Sequence, residues 1–450
     1  MSFLVSPGVQ VKEIDLTNVV PAVDTTIGAI AGPFEKGPVS SVTLVGSEAE
    51  LLKNFGKPNA SNFEFWFTAS NFLKYSNALK VVRPESAIVN AGESSGVLVR
   101  DTDHYITDFY ATTGDGQSTT NDWIARDAGT LGNSIGVELC PSPEAYEQDL
   151  GVKNLVNGAG AVGDTTITVD DADESGFAFQ VGDMIKFHTN NSVTATSNGA
   201  ITTASINLTV DGNSGTIAVG QRVIASGINE VVKVKTVTSQ TALILDKPIT
   251  IANDIDMAFS PYASVEAGDT QYEVTAINSE VLSIRLKDDP DSGGLQTIIP
   301  DNSFITRRWR FADLFDAAPR QSEYNRVNGR GTGDEVHIAV FDTTGLISGH
   351  DVNVAGQRKN SVLETFSNLS LNPAAKGPQG DSIYYPTVLY NQSEYIYWGD
   401  HIAAGTNWGT DTTSAYTEIR PITTVSLTGG TDDYAVTAGE LELAYDKFAD

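Results

Sequence analysis

The sequence has little of what builds covalent or metal cross-links. Its 450 residues include one cysteine and five histidines. A single cysteine excludes an intramolecular disulfide and a zinc site made of several thiolates. The histidines lack the H-x-x-x-H and H-E-x-x-H spacings of zinc enzymes, so we predict no metal site. Cys140 ends an apparent strand, VELC, and is expected to be a buried structural thiol.

Long apolar runs and basic residues are scarce as well. No apolar run approaches the roughly 18 residues that span a membrane, so no membrane insertion is expected. The first residues, MSFLVSPG, lack the basic and apolar regions of a secretory signal, and the protein is expected to be made in a cytosol. Lys and Arg total 28 against 57 Asp and Glu, a net charge of -29. A surface this acidic repels nucleic acid, which is therefore not expected as a partner.

Catalytic and cofactor-binding motifs are missing, with one exception. Neither a phosphate-binding G-x-x-x-x-G-K-[ST] loop nor a helix-opening G-x-G-x-x-G occurs, and we predict no cofactor. Residues 132–136 read G-N-S-I-G, which matches the G-x-S-x-G pattern of hydrolases. That pattern needs a helix soon after the serine, whereas a strand that ends in proline follows Ser134. We interpret the motif as a glycine-rich turn and predict that the protein is not an enzyme.

The acidic stretch 170–174 matches a calcium-binding loop only in part. Counted from Asp171, the twelfth position is Gly182, where an EF-hand loop requires a glutamate. We therefore expect solvated loop acids here.

The sequence does contain enough apolar residues for several folded cores. Hydrophobic residues make up 40% of it, and its length predicts two to four domains. Residues 25–45 are typical of two short strands with turns between them. Ser47, with Glu50 three residues later, predicts a short helix that ends at Gly56. Residues 62–75 predict a second helix, whose many aromatic side chains are expected to pack inward.

The predicted fold class is a multidomain α+β or α/β protein. Its discontinuous α/β core is built from the N- and C-terminal parts, with a β-rich insertion in the middle. The last part is expected to be incomplete, because the chain stops inside a helical pattern. The predicted domains are an extended linker arm at 1–20, the N-terminal part of the α/β domain at 21–86, a β-rich domain at 87–150, a β-only insertion at 151–290 and the C-terminal part of the α/β domain at 291–450.

The predicted insertion contains an imperfect internal repeat. Two stretches each run from a strand into an aspartate, then through a glycine-containing loop to a V-G pair, so that Val181-Gly182 corresponds to Val219-Gly220. A strand, turn and strand in VVKVKTVTSQTALIL resemble those in YEVTAINSEVLSIRL. We interpret the insertion as one or two small barrel-like or sandwich-like modules.

The C-terminal part alternates strands and helices. Residues 334–345 predict a strand that ends in a turn, and residues 360–371 are helical in pattern. A further strand near residue 396 precedes a final strand, glycine turn and helix.

An arginine-rich stretch, here called the basic island, stands out in the acidic chain. Three interpretations are open: contact with another copy of the same acidic chain, salt bridges within the chain, or nucleic-acid binding, which would need a wider basic face. The residues assigned to subunit contact in this island are Arg307, Arg308, Arg310, Arg320, Arg326 and Arg330.

The N-terminal arm reads as a strand without a nearby partner. Val9 and Val11 share one face, Lys12 lies on the other, and Ile14 and Leu16 fall out of that phase. The arm is either an edge strand of the chain's own sheet or a strand that completes a sheet in a neighbouring subunit. In the second case these five residues make subunit contacts.

Several stretches together resemble the contractile tail sheath proteins of long-tailed, T-even-like bacteriophages. The resemblance covers residues 1–140 and about 300–450, and leaves out the β insertion. The stretches that carry it are SPGVQVKEID, AGPFEKGPV, ELLKNFGKP, FLKYSNALKVVRPES, ARDAGTLGNSIGVELC and SLTGGTDDYAVTAGELELAYDKFAD.

This resemblance implies a structural rather than a catalytic role. Sheath subunits assemble with copies of themselves into hexameric rings, stacked helically around a tail tube, and contract to drive the tube through the host envelope. The expected partners are other copies, the tube protein, and baseplate and tail terminator proteins, in a virion assembled in the host cytoplasm. The resemblance also implies that the arm links subunits, that the insertion faces outward and that a C-terminal arm is missing.

Two alternatives stay open at this point. One is the sheath of a bacterial contractile injection system. The other is a phage baseplate or fibre component whose β insertion binds a receptor.

Overall fold

The structure is a computed structural model. It describes residues 27–110, 121–150, 154–173, 178–190, 193–228, 230–260, 265, 270–287, 293–349, 360–402, 405–416 and 425–449. The described part contains more strand than helix, so the predicted mixture of α and β structure is confirmed. The chain divides into a terminal unit, Met1–Ile88 with Asp432–Asp450, and a central unit, Val89–Thr431.

The helices are short and the strands are numerous. The helices are α1 Glu48–Phe55, α2 Phe63–Leu73, α3 Thr102–His104, α4 Pro143–Tyr146, α5 Glu323–Val327, α6 Tyr385–Gln392 and α7 Ala438–Asp446. The first strands are β1 Gly28–Ala31, β2 Thr43–Val45, β3 Leu79–Val82, β4 Asn90–Gly92, β5 Trp123–Ala128, β6 Ile135–Cys140, β7 Glu147–Asp149, β8 Thr166–Thr168, β9 Met184–His188, β10 Val193–Ser197 and β11 Ile201–Asp211. The others are β12 Arg222–Ala225, β13 Val232–Ser239, β14 Ala242–Ile251, β15 Asp256–Ser260, β16 Tyr272–Asn278, β17 Val281–Leu286, β18 Phe304–Arg308, β19 Glu335–Asp342, β20 Ser361–Ser370, β21 Ile396–Trp398 and β22 Val425–Ser426.

The terminal unit is a three-stranded sheet between helices. Its strand order is β1-β3-β2, with β1 parallel and β2 antiparallel to β3. Because side chains alternate along a strand, Ile30 and Val81 pack with α1 and α2, whereas Ala31 and Val82 pack with Ala444 of α7. Both faces of the sheet are therefore covered by helices.

The predicted helix after Ser47 is confirmed together with its caps. The Ser47 hydroxyl accepts a hydrogen bond from the Glu50 amide at 3.2 Å, and the Glu50 carboxylate accepts one from the Gly46 amide at 2.9 Å. At the other end Gly56 has a φ of 79°, a backbone conformation that favours glycine. The bond to Ser47 satisfies an amide of the first turn that would otherwise lack a partner, and the bond from Gly46 holds the residue before the cap in place.

The prediction that the aromatic side chains of the second helix all pack inward is wrong in part. Trp66 is buried and its ring nitrogen donates to the Gly56 carbonyl at 2.9 Å. Phe63 and Phe67 are about half exposed, and Tyr75 is 92% exposed. A helix can press only one stripe of its surface against a sheet, so Phe63 and Phe67 stay partly exposed when Trp66 is buried. Tyr75 lies beyond the end of α2.

The central unit has a large core between two sheets. One sheet has the order β20-β19-β6-β22 and the other β21-β5-β4. Trp123, Trp398 and Trp408 are buried between the sheets with Tyr385 and Leu389 of α6. The predicted burial of the thiol also holds, since Cys140 is 2% exposed at the end of β6.

The central unit also contains two six-stranded assemblies. One is a closed barrel, β10-β11-β14-β13-β12-β15, and the other is a sheet, β7-β18-β9-β16-β17-β8. The sheet includes β7 and β18, which lie outside the predicted insertion at 151–290. They belong to the sheet because β18 pairs with both β7 and β9.

The prediction of a helix at residues 360–371 is wrong. This segment is β20, which pairs antiparallel with β19. The pairing contains two register shifts, which break the regular alternation of buried and exposed side chains. The apolar residues therefore recur at intervals of three and four, as they would on a helix.

No helix in the described part of the chain is long and apolar enough to cross a membrane.

A buried histidine in the central unit is held in its neutral form. His337 donates from Nε2 to the Ala317 carbonyl at 2.8 Å and accepts at Nδ1 from the Asn368 amide at 3.0 Å. Its ring stacks on Phe315 with 4.5 Å between ring centroids. Burial lowers the pKa of His337 below its ordinary value. A proton on Nδ1 would also break the hydrogen bond from Asn368.

We predict that His337 makes the central unit less stable in acid. Because the pKa of His337 is lower in the folded state, its contribution is present above the unfolded value near 6.5. It is lost as the pH falls, by up to about 1.4 kcal/mol per pH unit. Urea unfolding at about pH 7.5 and about pH 5.5 measures this, with His337→Gln as the control because the amide cannot titrate. The stability advantage of the wild type should shrink at the lower pH, and a constant advantage would contradict the assignment.

Candidate assembly surfaces

Each arginine of the basic island forms an ion pair within the chain. The partners are Asp183 for Arg307, Asp313 for Arg308, Glu138 for Arg310, Glu230 for Arg320, Glu323 for Arg326 and Asp411 for Arg330. The interpretation as intramolecular salt bridges therefore has direct support. Contact of these arginines with another subunit stays a prediction.

Arg307 is the most deeply buried member of the island. Its side chain is 2% exposed and lies 3.6 Å from the Asp183 carboxylate. The guanidinium also donates to the Ala178 carbonyl at 2.8 Å and to the Gln148 side chain at 2.7 Å. Burial raises the pKa of Asp183 above its ordinary value although Arg307 lowers it. This arginine joins β18 to β7 and to the start of β9.

Arg310 connects the six-stranded sheet to the four-stranded sheet. Its guanidinium pairs with Glu138 on β6, and the Trp309 ring nitrogen donates to the same carboxylate at 2.7 Å. The guanidinium also lies over the rings of Phe311 and Phe341, at 4.9 and 4.8 Å from their centroids. Sequence reasoning missed Glu138, because an acid inside an apolar strand gives no sign of its partner.

The exposed arginines have more surface available to a partner. The Arg326 side chain is 63% exposed and its ion pair with Glu323 lies on α5. Arg320 is 40% exposed and pairs with Glu230. Exposed pairs of this kind contribute little to stability.

The residues of the predicted N-terminal arm, Val9, Val11, Lys12, Ile14 and Leu16, lie outside the described residues. The described chain begins at Ile27, directly before β1.

The sheet of the terminal unit has an edge on β1. In the described part of the chain, β1 pairs only with β3. The amides of Gly28 and Gly32 donate to carbonyls next to or within β3, at 3.0 and 3.2 Å. Ala29 lies between them along the strand and is exposed. Since amides alternate in direction along a strand, the Ala29 N–H points away from β3.

An apolar groove of about 480 Å³ runs beside this edge. It is lined by side chains of β1, β3, α2 and α7 and is open to solvent. The lining residues are Gly28, Ala29, Ile30, Glu64, Phe65, Thr68, Ala69, Phe72, Leu79 and Tyr445.

Gly28 of β1 and Gly32, directly after it, allow the aromatic rings of α2 to lie close to the strand. A Cβ atom on Gly28 would lie 2.5 Å from a ring carbon of Phe72, and one on Gly32 would lie 2.5 Å from a ring carbon of Phe65. Both contacts are shorter than real Cβ contacts. The sequence G-A-I-A-G therefore fits a strand that is covered by aromatic side chains.

Ser134, the serine of the G-x-S-x-G motif, is buried in a structural turn. It ends the 3-10 helix Thr130–Ser134 and leads directly into β6. Its hydroxyl contacts the Asp342 carboxylate, which also accepts hydrogen bonds from the amides of Gly345 and Ile347, both at 2.9 Å. Burial raises the pKa of Asp342, but hydrogen bonds from Ser134, Ser348 and Gly345 outweigh it and hold the pKa below its ordinary value. The arrangement holds a loop in place and lacks the strand-to-helix turn of a nucleophile elbow.

One acidic cluster could hold a cation. Asp171, Asp173 and Glu280 present carboxylate oxygens that all lie within 4.8 Å of one another. The side chain of Asp171 raises the pKa of Asp173. Glu280 comes from the turn between β16 and β17, so the sequence spacing around Asp171 could not reveal it.

Part of the chain is similar to the tail sheath proteins of bacteriophages. The resemblance predicted from the sequence stretches is thereby confirmed. No protein-family profile matches the chain.

Three relatives carry this similarity. The tail sheath protein of Vibrio phage KVP40 is 45% identical over 80 residues, which are 18% of this chain and 12% of the relative. That of Enterobacteria phage T4 is 30% identical over 135 residues, 30% of this chain and 20% of the relative. That of Salmonella phage ViI is 32% identical over 142 residues, 31% of this chain and 22% of the relative. The matches thus span less than a quarter of the length of each relative.

We predict that the buried and exposed arginines of the basic island differ sharply in their effect on stability. Arg307→Met removes the guanidinium from the buried Asp183 carboxylate and should cost about 3–5 kcal/mol. Arg326→Met, the matched control, removes an arginine from an exposed pair and should leave the unfolding midpoint unchanged. Urea unfolding of both variants measures the difference, and equal effects would contradict this account of the island.

Proposed function

We propose that this chain is a structural subunit of a phage contractile tail sheath. The observation that carries the proposal is its similarity to the tail sheath proteins of three phages. In this role the subunit polymerises as stacked hexameric rings around a tail tube and contracts to drive the tube through the host envelope. Its partners are other copies, the tube protein, and baseplate and terminator proteins. Its place is the virion tail, assembled in the host cytoplasm.

Strand addition links one subunit to the next. The arm of one subunit, through Val9, Val11, Lys12, Ile14 and Leu16, adds to the edge of β1 in a neighbour. Main-chain hydrogen bonds to an open edge provide affinity, and alternate side chains provide register. The groove beside β1 supports this arrangement, because it offers apolar surface to the face that carries two valines.

Such a link suits a polymer that changes its packing. Main-chain pairing holds two subunits together along one strand, while the rest of their contacts can be exchanged. The free energy for contraction then comes from the difference between two packings of the same subunits, and no nucleotide is consumed. The net charge of -29 opposes unspecific association of copies, so assembly depends on specific contacts.

We predict that deleting residues 1–18 leaves a folded subunit that cannot polymerise. The deletion ends before the described part of the terminal unit, whose core lies in its helices and sheet. Electron microscopy of the full chain should show rings or striated tubes, and circular dichroism should confirm that the deletion variant is folded. A full chain that stays monomeric would overturn the sheath proposal. If the deletion variant forms tubes, the proposed role of the arm is wrong, whereas the sheath proposal stands.

We also predict that a proline at the β1 edge blocks assembly. Ala29→Pro removes the N–H that points away from β3, and proline is tolerated at the solvent side of an edge strand. Ala29→Ser, the matched control, keeps the N–H and should assemble like the wild type. Sedimentation and electron microscopy measure polymer, and circular dichroism tests that both variants fold. If Ala29→Pro is folded and assembles normally, the arm does not bind at this edge.

A further inference from the structure

The two six-stranded assemblies of the central unit have the same strand order. In the closed barrel the order is β11-β14-β13-β12-β15-β10, and in the sheet it is β8-β17-β16-β9-β18-β7. When the strands of each assembly are numbered one to six along the chain, both orders read 2-5-4-3-6-1. All of these neighbouring strands are antiparallel in both assemblies.

Both assemblies also close at the same place. In the barrel, the first and second strands pair with Ser197 opposite Val210. In the sheet, an isolated bridge joins Val156, seven residues beyond the end of the first strand, to Val169, just after the second. We interpret this bridge as the point at which the sheet closes into a barrel. We call it the inner barrel, and the assembly of β10 to β15 the outer barrel.

The turns before the third strands are alike. Val181 and Val219 are 62% and 64% exposed, which is unusual for valine. The glycines that follow them, Gly182 and Gly220, have φ values of 98° and 88°. Each glycine is therefore in a conformation that few other residues adopt.

The hydrogen bonds of these turns correspond one by one. The Gly182 amide donates to the Val274 carbonyl at 2.7 Å, and the Gly220 amide donates to the Val234 carbonyl at 2.8 Å.

The residue after each glycine closes the turn with its side chain, which accepts a hydrogen bond from a backbone amide three residues earlier. The Asp183 carboxylate accepts from the Gln180 amide, and the Gln221 side chain accepts from the Ala218 amide, both at 2.8 Å. Two different side chains therefore occupy one structural position.

The hairpins of the fourth and fifth strands share an irregularity. In the inner barrel Val274 pairs with Ile284, and the register then shifts before Ala276. In the outer barrel Val234 pairs with Leu245, and the register shifts before Thr236. A β-bulge at the same place in both hairpins is a detailed feature that strand order alone does not require.

From these correspondences we infer that residues 147–308 contain two copies of one barrel, the outer copy inserted between the third and fourth strands of the inner one. The outer barrel is thus a complete module that the inner barrel can fold without. In the outer copy, six residues, 226–231, connect the third and fourth strands. In the inner copy, the whole outer barrel occupies that connection.

The interiors of the two copies differ at three corresponding positions. Arg307 of the inner barrel corresponds to Phe259 of the outer barrel, because Arg307 pairs with Ile185 and Phe259 pairs with Val223. Gln148 corresponds to Val193, because Gln148 pairs with Arg307 and Val193 pairs with Phe259. The Gln148 side chain also accepts a hydrogen bond from Arg307.

The third difference is Asp183, which corresponds to Gln221. The inner barrel therefore carries a buried ion pair where the outer barrel has only uncharged side chains. Removing one partner of such a pair is costly, but replacing the whole group by apolar residues is often tolerated.

Excision of the outer barrel tests the inference directly. In the full chain, residues 189–271 are replaced by the sequence of residues 227–231, so that β9 keeps His188 and a connection of the length found in the outer barrel leads into Tyr272. We expect a folded protein with a cooperative thermal transition. Deleting residues 232–251 instead, the control, opens the outer barrel and should cause aggregation or loss of cooperativity. An excised chain that fails to fold while the control folds would overturn the inference.

If neither the excised chain nor the control deletion folds, a second pair of variants tests the inference. Gln148→Val, Asp183→Gln and Arg307→Phe together transplant the interior of the outer copy into the inner one. Arg307→Phe alone leaves Asp183 without its cation. We expect the triple variant to melt at a clearly higher temperature than the single variant. Equal melting temperatures would show that the positions do not correspond and would overturn the inference.

Discussion

Unpaired strand edges are the constraint on which this structure depends. A strand at the edge of a sheet presents a row of N–H and C=O groups without hydrogen-bond partners. Both barrels of the central unit pair their outermost strands by closing on themselves. The three-stranded sheet of the terminal unit has helices on both faces but, within the described residues, no strand beside β1. An edge that lies next to an apolar groove is suited to receive a strand from another chain.

Buried charge holds the central unit together where its parts meet. Arg222 of the outer barrel pairs with Asp149 and Glu147 of β7, the first strand of the inner barrel. Arg310 joins the inner barrel to Glu138 of the four-stranded sheet. In a chain of net charge -29, the arginines of the basic island all form ion pairs within the chain.

Sequence reasoning succeeded where the deciding interactions are local. The caps of α1 lie within a few residues of each other, and the V-G pairs of the repeat mark turns that glycine alone favours. It failed for β20, because register shifts against β19 produced a helix-like spacing. It also could not find Glu280 beside Asp171 or Asp183 beside Arg307, since only the folded chain brings distant acids and bases together. The groove beside β1 was missed for the same reason, as its walls come from both ends of the sequence.

The most direct test of the account is hydrogen exchange of the β1 amides before and after assembly. In the unassembled subunit the Ala29 amide points away from β3 and should exchange rapidly, whereas the Gly28 and Gly32 amides are already bonded. Assembly by strand addition should protect Ala29 strongly and change its two neighbours little. If polymers form while the Ala29 amide exchanges as fast as in the free subunit, the central claim that subunits are joined at this edge is contradicted.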